Sequence, residues 1–149
     1  MACERLWFVL WNCIVMDHLN DTTEVPSTIM WVDDDADLLW LMSRTLGRKG
    51  FDVRTTDHAP TCEQVLEAHP VVVFLDVDLG EENGVDVCRL IKRDERSASI
   101  PVVLVSAQPR ERLKKSAASC GADGFITKPF DPGRIVHLAE RYANQEHAA

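Results

Sequence analysis

The sequence predicts an α/β fold in which five parallel strands form one doubly wound sheet with helices on both faces. Three observations carry that reading. From Thr28 onward, strand and helix signals alternate along the chain. The run "VVVFLD", residues 71–76, shows no polar alternation, as expected of a strand covered on both sides. Polar residues then stand at the carboxyl ends of the strands, where ligand crevices open in such sheets.

Taken in order, "TIMWV" is a short apolar strand running into Asp33, Asp34 and Asp35. "ADLLWLMSRTLGRKG" places Leu38, Leu39, Met42 and Leu46 on one helical face, with Gly50 as the stop. "FDVRTT" is a second, alternating strand, and "APTCEQVLEAH" a short helix with Val65 and Leu66 inward. After the third strand, "GVDVCRLIKRDE" is a helix burying Val85, Cys88 and Ile91. "PVVLVS" is the fourth strand, "RERLKKSAASCG" a solvated helix ending at Gly121, and "GFIT" a brief fifth strand. Asp131 and Pro132 make an N-cap and first-turn pair for a last helix reaching about Tyr142. Five βα units imply right-handed crossovers.

At 149 residues the chain is the size of one domain, placed at residues 28–143. Residues 1–27 form an N-terminal extension, and 144–149 a tail too short for an output domain. The net charge of −8, without a lysine- or arginine-rich run, gives no electrostatic case for nucleic acid or an anionic membrane; proteins or cations are the expected partners. Cys3, Cys13, Cys62, Cys88 and Cys120 lack zinc or redox spacing and read as free thiols of a reducing cytosol. His18, His58, His69, His137 and His147 are dispersed and read as surface residues; Trp31 and Trp40 read as packing residues.

The apolar run "LWFVLWNCIVM", Leu6 to Met16, is too short to span a bilayer and is interrupted by Asn12. Glu4 offsets Arg5 and no small-x-small site follows, which argues against a signal peptide. Two readings stay open: an extra element docked on the domain, or an extension that the natural product lacks because translation begins at Met16.

The polar strand ends converge on one sheet edge: Asp33 and Asp34, then Asp76, Ser106 and Lys128. Carboxylates gathered in one crevice repel each other, so they take up protons or hold a divalent cation. All-oxygen ligands open to water suit Mg²⁺. With the site screened, Asp76 could act as a nucleophile toward a phosphoryl group while Lys128 and the Ser106 hydroxyl hold its other oxygens. On the strand alone, a turn-capping role for Asp76 ahead of Gly80 is equally open.

"IMWVDDD", "VVVFLDVDLGEENG", "VVLVSA" and "GADGFITKPF" resemble, in order and spacing, the motifs of response-regulator receiver domains of two-component signalling. The resemblance implies a flavodoxin-like strand order 2-1-3-4-5 and a cytoplasmic, stand-alone phosphoacceptor with a regulatory role, promoting only its own phosphorylation and dephosphorylation. Asp76 would be phosphorylated by a histidine kinase or histidine phosphotransfer protein. Asp34 and Asp76 would bind Mg²⁺ through carboxylates, Asp78 through its backbone carbonyl, and Asp33 mostly through water. Ser106 would be the switch hydroxyl, Lys128 the phosphate-binding lysine, and the Lys128–Pro129 bond cis. The Asp78 side chain is then a solvated turn residue, or one that influences attack of water on the phosphoaspartate.

Two positions depart from the common pattern. Gly80 stands where proline is frequent, which would loosen the loop. Phe125 stands where tyrosine is frequent, so a ring movement is possible without a phenolic hydrogen bond; an ordinary core aromatic is the equal alternative. Phosphorylation would draw Ser106 inward, let Phe125 turn in, and reshape the face of helix four, strand five and helix five for a downstream protein. Arg110, Arg112, Lys114 and Lys115 lie there, either as a solvated surface or as a docking one.

"FLDVDLG" with Ser106 and Lys128 also resembles haloacid-dehalogenase-like phosphohydrolases. That family wants a further acidic pair after the lysine, where only Asp131 follows closely, and it leaves Asp33 and Asp34 without a role. A degenerate receiver used only for binding is the third reading, disfavoured by the full set of polar site residues.

Overall fold

A computed structural model describes residues 24–148. The run Leu6–Met16, with both readings of the extension, lies outside the described residues, as do Cys3, Cys13 and His18. The elements are β1 (Thr28–Val32), α1 (Ala36–Gly47), β2 (Asp52–Thr56), α2 (Cys62–Ala68), β3 (Val72–Asp76), β4 (Asp78–Leu79), β5 (Glu82–Asn83), α3 (Gly84–Arg93), β6 (Val102–Ser106), α4 (Arg110–Cys120), β7 (Gly124–Thr127) and α5 (Pro132–Ala148).

Five strands pair in parallel in the order β2-β1-β3-β6-β7, the predicted doubly wound arrangement. The central β3 and β6 are buried at every position, which is why their sequences are unbroken apolar runs until the terminal Asp76 and Ser106. Successive side chains point to opposite faces. Met30, Val32, Val73, Leu75, Val102 and Leu104 pack beneath α2, α3 and α4. Ile29, Trp31, Val72, Phe74, Val103 and Val105 pack beneath α1 and α5. Trp31 stacks on Phe74, centroids 4.8 Å apart, directly across the β1–β3 pairing.

The helix ends follow their local chemistry. Asp35 caps α1 by accepting hydrogen bonds from the N–H groups of Asp37 and Leu38. Thr61 and Gln64 form a reciprocal capping box on α2. Gly121 ends α4 in the left-handed conformation at φ 78°, as its position in "SCGA" predicts. Asp131 accepts from Gly133 N–H at 2.9 Å at the start of α5.

Four features differ from the sequence reading. Helix α5 continues to Ala148 rather than stopping near Tyr142, because no glycine or proline interrupts "ANQEHA" and Ala143 extends the buried face. In α3, Val87 is buried and Val85 only partly so. A short antiparallel hairpin, β4 with β5, follows β3. Trp40 is 65% exposed rather than packed, since the stripe of Leu38, Leu39, Met42 and Leu46 takes the inward face and leaves position 40 outside it. Its ring is instead covered by the guanidinium of Arg44, 5.7 Å away and one turn on.

His58, His69, His137 and His147 are exposed. Cys62, Cys88 and Cys120 are free thiols. Burial, followed by the neighbouring Cys120, pushes the Cys88 thiol well above the ordinary range. Cys62 is therefore expected to be alkylated in the native protein well before Cys88 or Cys120. Peptide mapping after a short iodoacetamide pulse checks this; equal labelling of all three would contradict the packing of α3 against α4.

Candidate functional site

The site forms where β1 and β3, adjacent in the sheet, release their chains at the same edge. Asp33, immediately after β1, is held by its own N–H donating to Thr56 O at 3.1 Å. Its side chain is fully buried, with Oδ1 accepting from Asp35 N–H at 2.9 Å. Asp76, the last residue of β3, is 4% exposed, and its Oδ1 accepts from Asp78 N–H at 3.0 Å. Asp34 is exposed beside them. Oxygens of Asp33, Asp34 and Asp76 all lie within 4.8 Å of one another.

Lys128, just past β7, reaches across this cluster. Its Nζ donates to Asp33 Oδ2 at 2.7 Å and to Asp76 Oδ2 at 2.9 Å. Its backbone N–H donates to Ser106 O at 2.8 Å, and the Lys128–Pro129 bond is cis. Burial pushes the Asp76 carboxyl above the ordinary carboxylate value, and the charge of Asp33 adds to this, although the Lys128 hydrogen bond pulls the other way. Burial alone would depress the Lys128 ammonium, but the hydrogen bonds to Asp33 and Asp76 outweigh it and hold it above the usual lysine value. One ammonium thus bridges two buried carboxylates, leaving an acidic cluster that a divalent cation bound by oxygen could complete.

Ser106 closes the β6 side. It is fully buried and its Oγ accepts from Gln108 N–H at 3.1 Å. Phe125, in β7 opposite Leu104 of β6, is half-buried, and the Arg110 guanidinium lies 5.0 Å from its ring centroid. The Asp78 side chain is exposed and its backbone faces Asn83 across the hairpin. All the sequence-predicted site residues therefore gather at one edge, with Phe125 beside it.

Two parts of the site escaped the sequence reading. Glu82 Oε2 accepts from Ala59 N–H at 2.8 Å, tying the hairpin to the loop before α2. Gly84 donates its N–H to Val77 O at 2.8 Å, and a Cβ built on it would overlap the Asp76 carbonyl oxygen. The only signal was a glycine at the head of a helix pattern, a place where glycine also serves without any close approach. Gly80 adopts φ 67°, a conformation closed to proline, so its turn is one that the residue frequent at this position could not make.

A doubly wound sheet with an acid cluster and a bridging lysine at its carboxyl edge is an α/β protein whose polar side chains gather where such sheets open their ligand crevice. The chain belongs to the response regulator receiver domain family, whose model matches residues 29–140. It is 33% identical over 110 residues to the transcriptional regulatory protein GltR of Pseudomonas aeruginosa, covering 73% of this chain and 46% of that protein. It is 35% identical over 109 residues to the DNA-binding response regulator MtrA of Mycobacterium tuberculosis, covering 72% and 46%. Among solved structures it is similar to the response regulator DrrB, a Thermotoga maritima OmpR/PhoB homolog, with TM-score 0.68, 28% identity and coverage of 82% and 54%. The fold alone is shared with the chemotaxis protein CheY4 of Vibrio cholerae, TM-score 0.68 at 20% identity, covering 79% and 99%.

The chain spans about half the length of the curated relatives it matches, so their DNA binding is a property of those proteins. Receiver domains are regulatory phosphoacceptors of two-component signalling that work with histidine kinases and downstream effectors and bind Mg²⁺ in an acidic pocket. The cluster of Asp33, Asp34 and Asp76 offers such a pocket. Among the described residues no helix is long and apolar enough to cross a membrane.

Proposed function

We propose that this chain is a cytoplasmic phosphoacceptor switch in which Asp76 takes a phosphoryl group from a histidine kinase or histidine phosphotransfer protein. The observation that carries this is the buried Asp76 carboxylate, bonded to Lys128 and within 4.8 Å of Asp33 and Asp34 oxygens. A carboxylate oxygen of Asp76 attacks phosphorus, the P–N bond of the phosphohistidine breaks, and the departing imidazole keeps that electron pair. Lys128, already at the carboxylate, is placed to pair with a phosphoryl oxygen, and the Ser106 hydroxyl is placed to donate to another.

The oxygen-only donor set fits Mg²⁺, which Asp34 and Asp76 would hold through their carboxylates, Asp78 through its backbone carbonyl and Asp33 mostly through water. When bound, the ion supplies the positive charge that screens the carboxylates from an incoming phosphoryl group. Ser106 and Phe125 form the switch. Drawing the Ser106 hydroxyl toward the phosphoryl group frees space beside β6 for the Phe125 ring, which changes the face of α4, β7 and α5 presented to a downstream protein.

The phosphohydrolase alternative has less support. Asp131 is used to cap α5, and the Asp78 side chain makes no hydrogen bond to the cluster.

Intact mass after incubation with Mg²⁺ and a small acyl phosphate, then with a histidine kinase, tests the reading. One added phosphoryl group is expected on the wild type and none on Asp76→Asn. Failure with both donors would favour a binding-only receiver, and continuous phosphate release from many esters would favour the hydrolase.

A further inference from the structure

We infer that Glu82 is a positioning residue for the divalent cation: by tying the β4–β5 hairpin to the loop after β2, it fixes the arm of the crevice that carries Asp78. The inference rests on the reading of the acidic crevice as a Mg²⁺ site and adds a residue outside the set that would touch the ion.

The arms of the crevice are not all fixed in the same way. Asp33 follows β1 and Asp76 ends β3, and because these strands pair directly the sheet ladder sets their separation. Asp78 instead stands on the hairpin, a two-stranded sheet of its own with no ladder to the main one. The base of the hairpin is anchored, since Gly84 N–H donates to Val77 O, Asp78 N–H donates to Asp76 Oδ1, and Leu79 is buried. Beyond that base residues 80–83 are exposed, and Gly80 at φ 67° supplies none of the stiffness that a proline would bring.

Among the described residues, Glu82 makes the only side-chain hydrogen bond between this hairpin and a distant part of the chain, its Oε2 accepting from Ala59 N–H at 2.8 Å. The far end of that bond is itself secured. His58 N–H donates to Thr56 Oγ1 at 3.3 Å, the Thr56 hydroxyl donates to His58 O at 3.1 Å, and Thr56 O accepts from Asp33 N–H at 3.1 Å. A path of hydrogen bonds and short backbone therefore runs from the hairpin, through the turn after β2, to the main chain of Asp33. The near end matters as much. Glu82 pairs with Leu79 across the hairpin, and the Asp78 carbonyl belongs to the peptide that joins Asp78 to Leu79, so a hairpin released at Glu82 carries that carbonyl with it. One surface hydrogen bond to a carboxylate is worth about a fivefold change in an equilibrium. Mg²⁺ reads such a change because it demands near-ideal octahedral geometry and tolerates little displacement of a ligand. Glu81, next door, is exposed and carries the same charge without a side-chain bond among the described residues, which makes it the control for charge alone.

The test titrates Mg²⁺ into the isotope-labelled whole chain and follows the amide shifts of Asp33, Asp34, Asp76 and Asp78 in wild type, Glu82→Ala, Glu82→Gln and Glu81→Ala. Exchange of the Ala59 N–H with solvent deuterium is measured on the same samples before the ion is added. Glu82→Ala is expected to weaken Mg²⁺ binding about fivefold and to speed Ala59 exchange. Glu82→Gln keeps an acceptor oxygen without the charge, so it should stay within about twofold of wild type on both measurements, as should Glu81→Ala. Equal affinity in wild type and Glu82→Ala, or Ala59 exchange indifferent to Glu82, would overturn the inference. So would a loss in Glu82→Gln or Glu81→Ala as large as that in Glu82→Ala, which would assign the effect to charge. A wild type whose site amides ignore Mg²⁺ would overturn it together with the metal reading. Intact mass after acyl-phosphate treatment of the same samples separates it from the phosphoacceptor reading: if Mg²⁺ binding depends on Glu82 while Asp76 takes no phosphoryl group from any donor, the positioning role stands and the phosphoacceptor reading fails.

Discussion

Lys128→Ala is expected to lower the stability of the metal-free protein by roughly 3 kcal/mol at neutral pH, toward the low end of the cost of stripping one partner from a buried ion pair. The side chain reaches two carboxylates, Asp33 at 0% and Asp76 at 5% side-chain exposure, and without it both negative charges lie buried with no cation. The loss should shrink on acidification, because Asp76, already pushed up by burial, takes up a proton and no longer needs a counter-charge. At the alkaline end the sign runs the other way. The folded protein holds the Lys128 ammonium above its ordinary value of 10.5, so the wild type keeps this contribution fully below that pH and loses it as the pH rises through the higher folded value. Urea unfolding in the presence of a chelator, repeated across pH, checks both limbs. An unchanged midpoint at neutral pH would mean that the ammonium is not what makes the buried carboxylates tolerable. On the proposed function the same variant should also take up a phosphoryl group far more slowly, since it lacks the cation that would pair with the transferred oxygens.

The parts of this architecture that were legible in the sequence are those where one residue type answers one physical demand. A strand covered on both faces has to be apolar throughout, so Val72–Leu75 and Val102–Val105 stand out, and the first polar residue after each run marks the crevice. Asp33, Asp76 and Lys128 could be placed together because parallel strands bring their carboxyl ends to one edge, although 95 residues separate Asp33 from Lys128. Trp40 reads as core by type, as a large aromatic does, but its helical phase opposes the stripe of Met42 and Leu46 and leaves it exposed. The final turns of α5 carry little apolar signal, so the sequence pattern fades near Tyr142 although the helix runs on to Ala148 where nothing stops it. The β4–β5 hairpin has two residues per strand, too short for any period to show. Glu82 bonds to a main-chain N–H 23 residues away, a contact no local pattern encodes.

Gly84 shows the same limit most sharply and carries the second large expected effect. Gly84→Ala should cost about 1–3 kcal/mol, the range for forcing a methyl group into packed structure, because the obstacle is the Asp76 carbonyl and the Val77 main chain and not a side chain that could rotate away. Any relief has to move either the start of α3 or the residue after β3, and both moves disturb the turn in which Asp78 N–H donates to Asp76 Oδ1. Phosphoryl uptake should therefore fall along with stability. Gly80→Ala supplies the contrast in the same hairpin. Nothing lies within 4 Å of a Cβ there, but φ is 67°, so the change costs only the left-handed backbone penalty of about 1–2 kcal/mol. Because Gly80 sits at the turn, away from the Asp76 main chain, its variant should keep near-normal uptake once folded. Measuring uptake per folded molecule for both variants separates the two glycines: equal uptake would mean that the hairpin tolerates displacement at its base, and that the close approach of Gly84 to Asp76 serves packing alone.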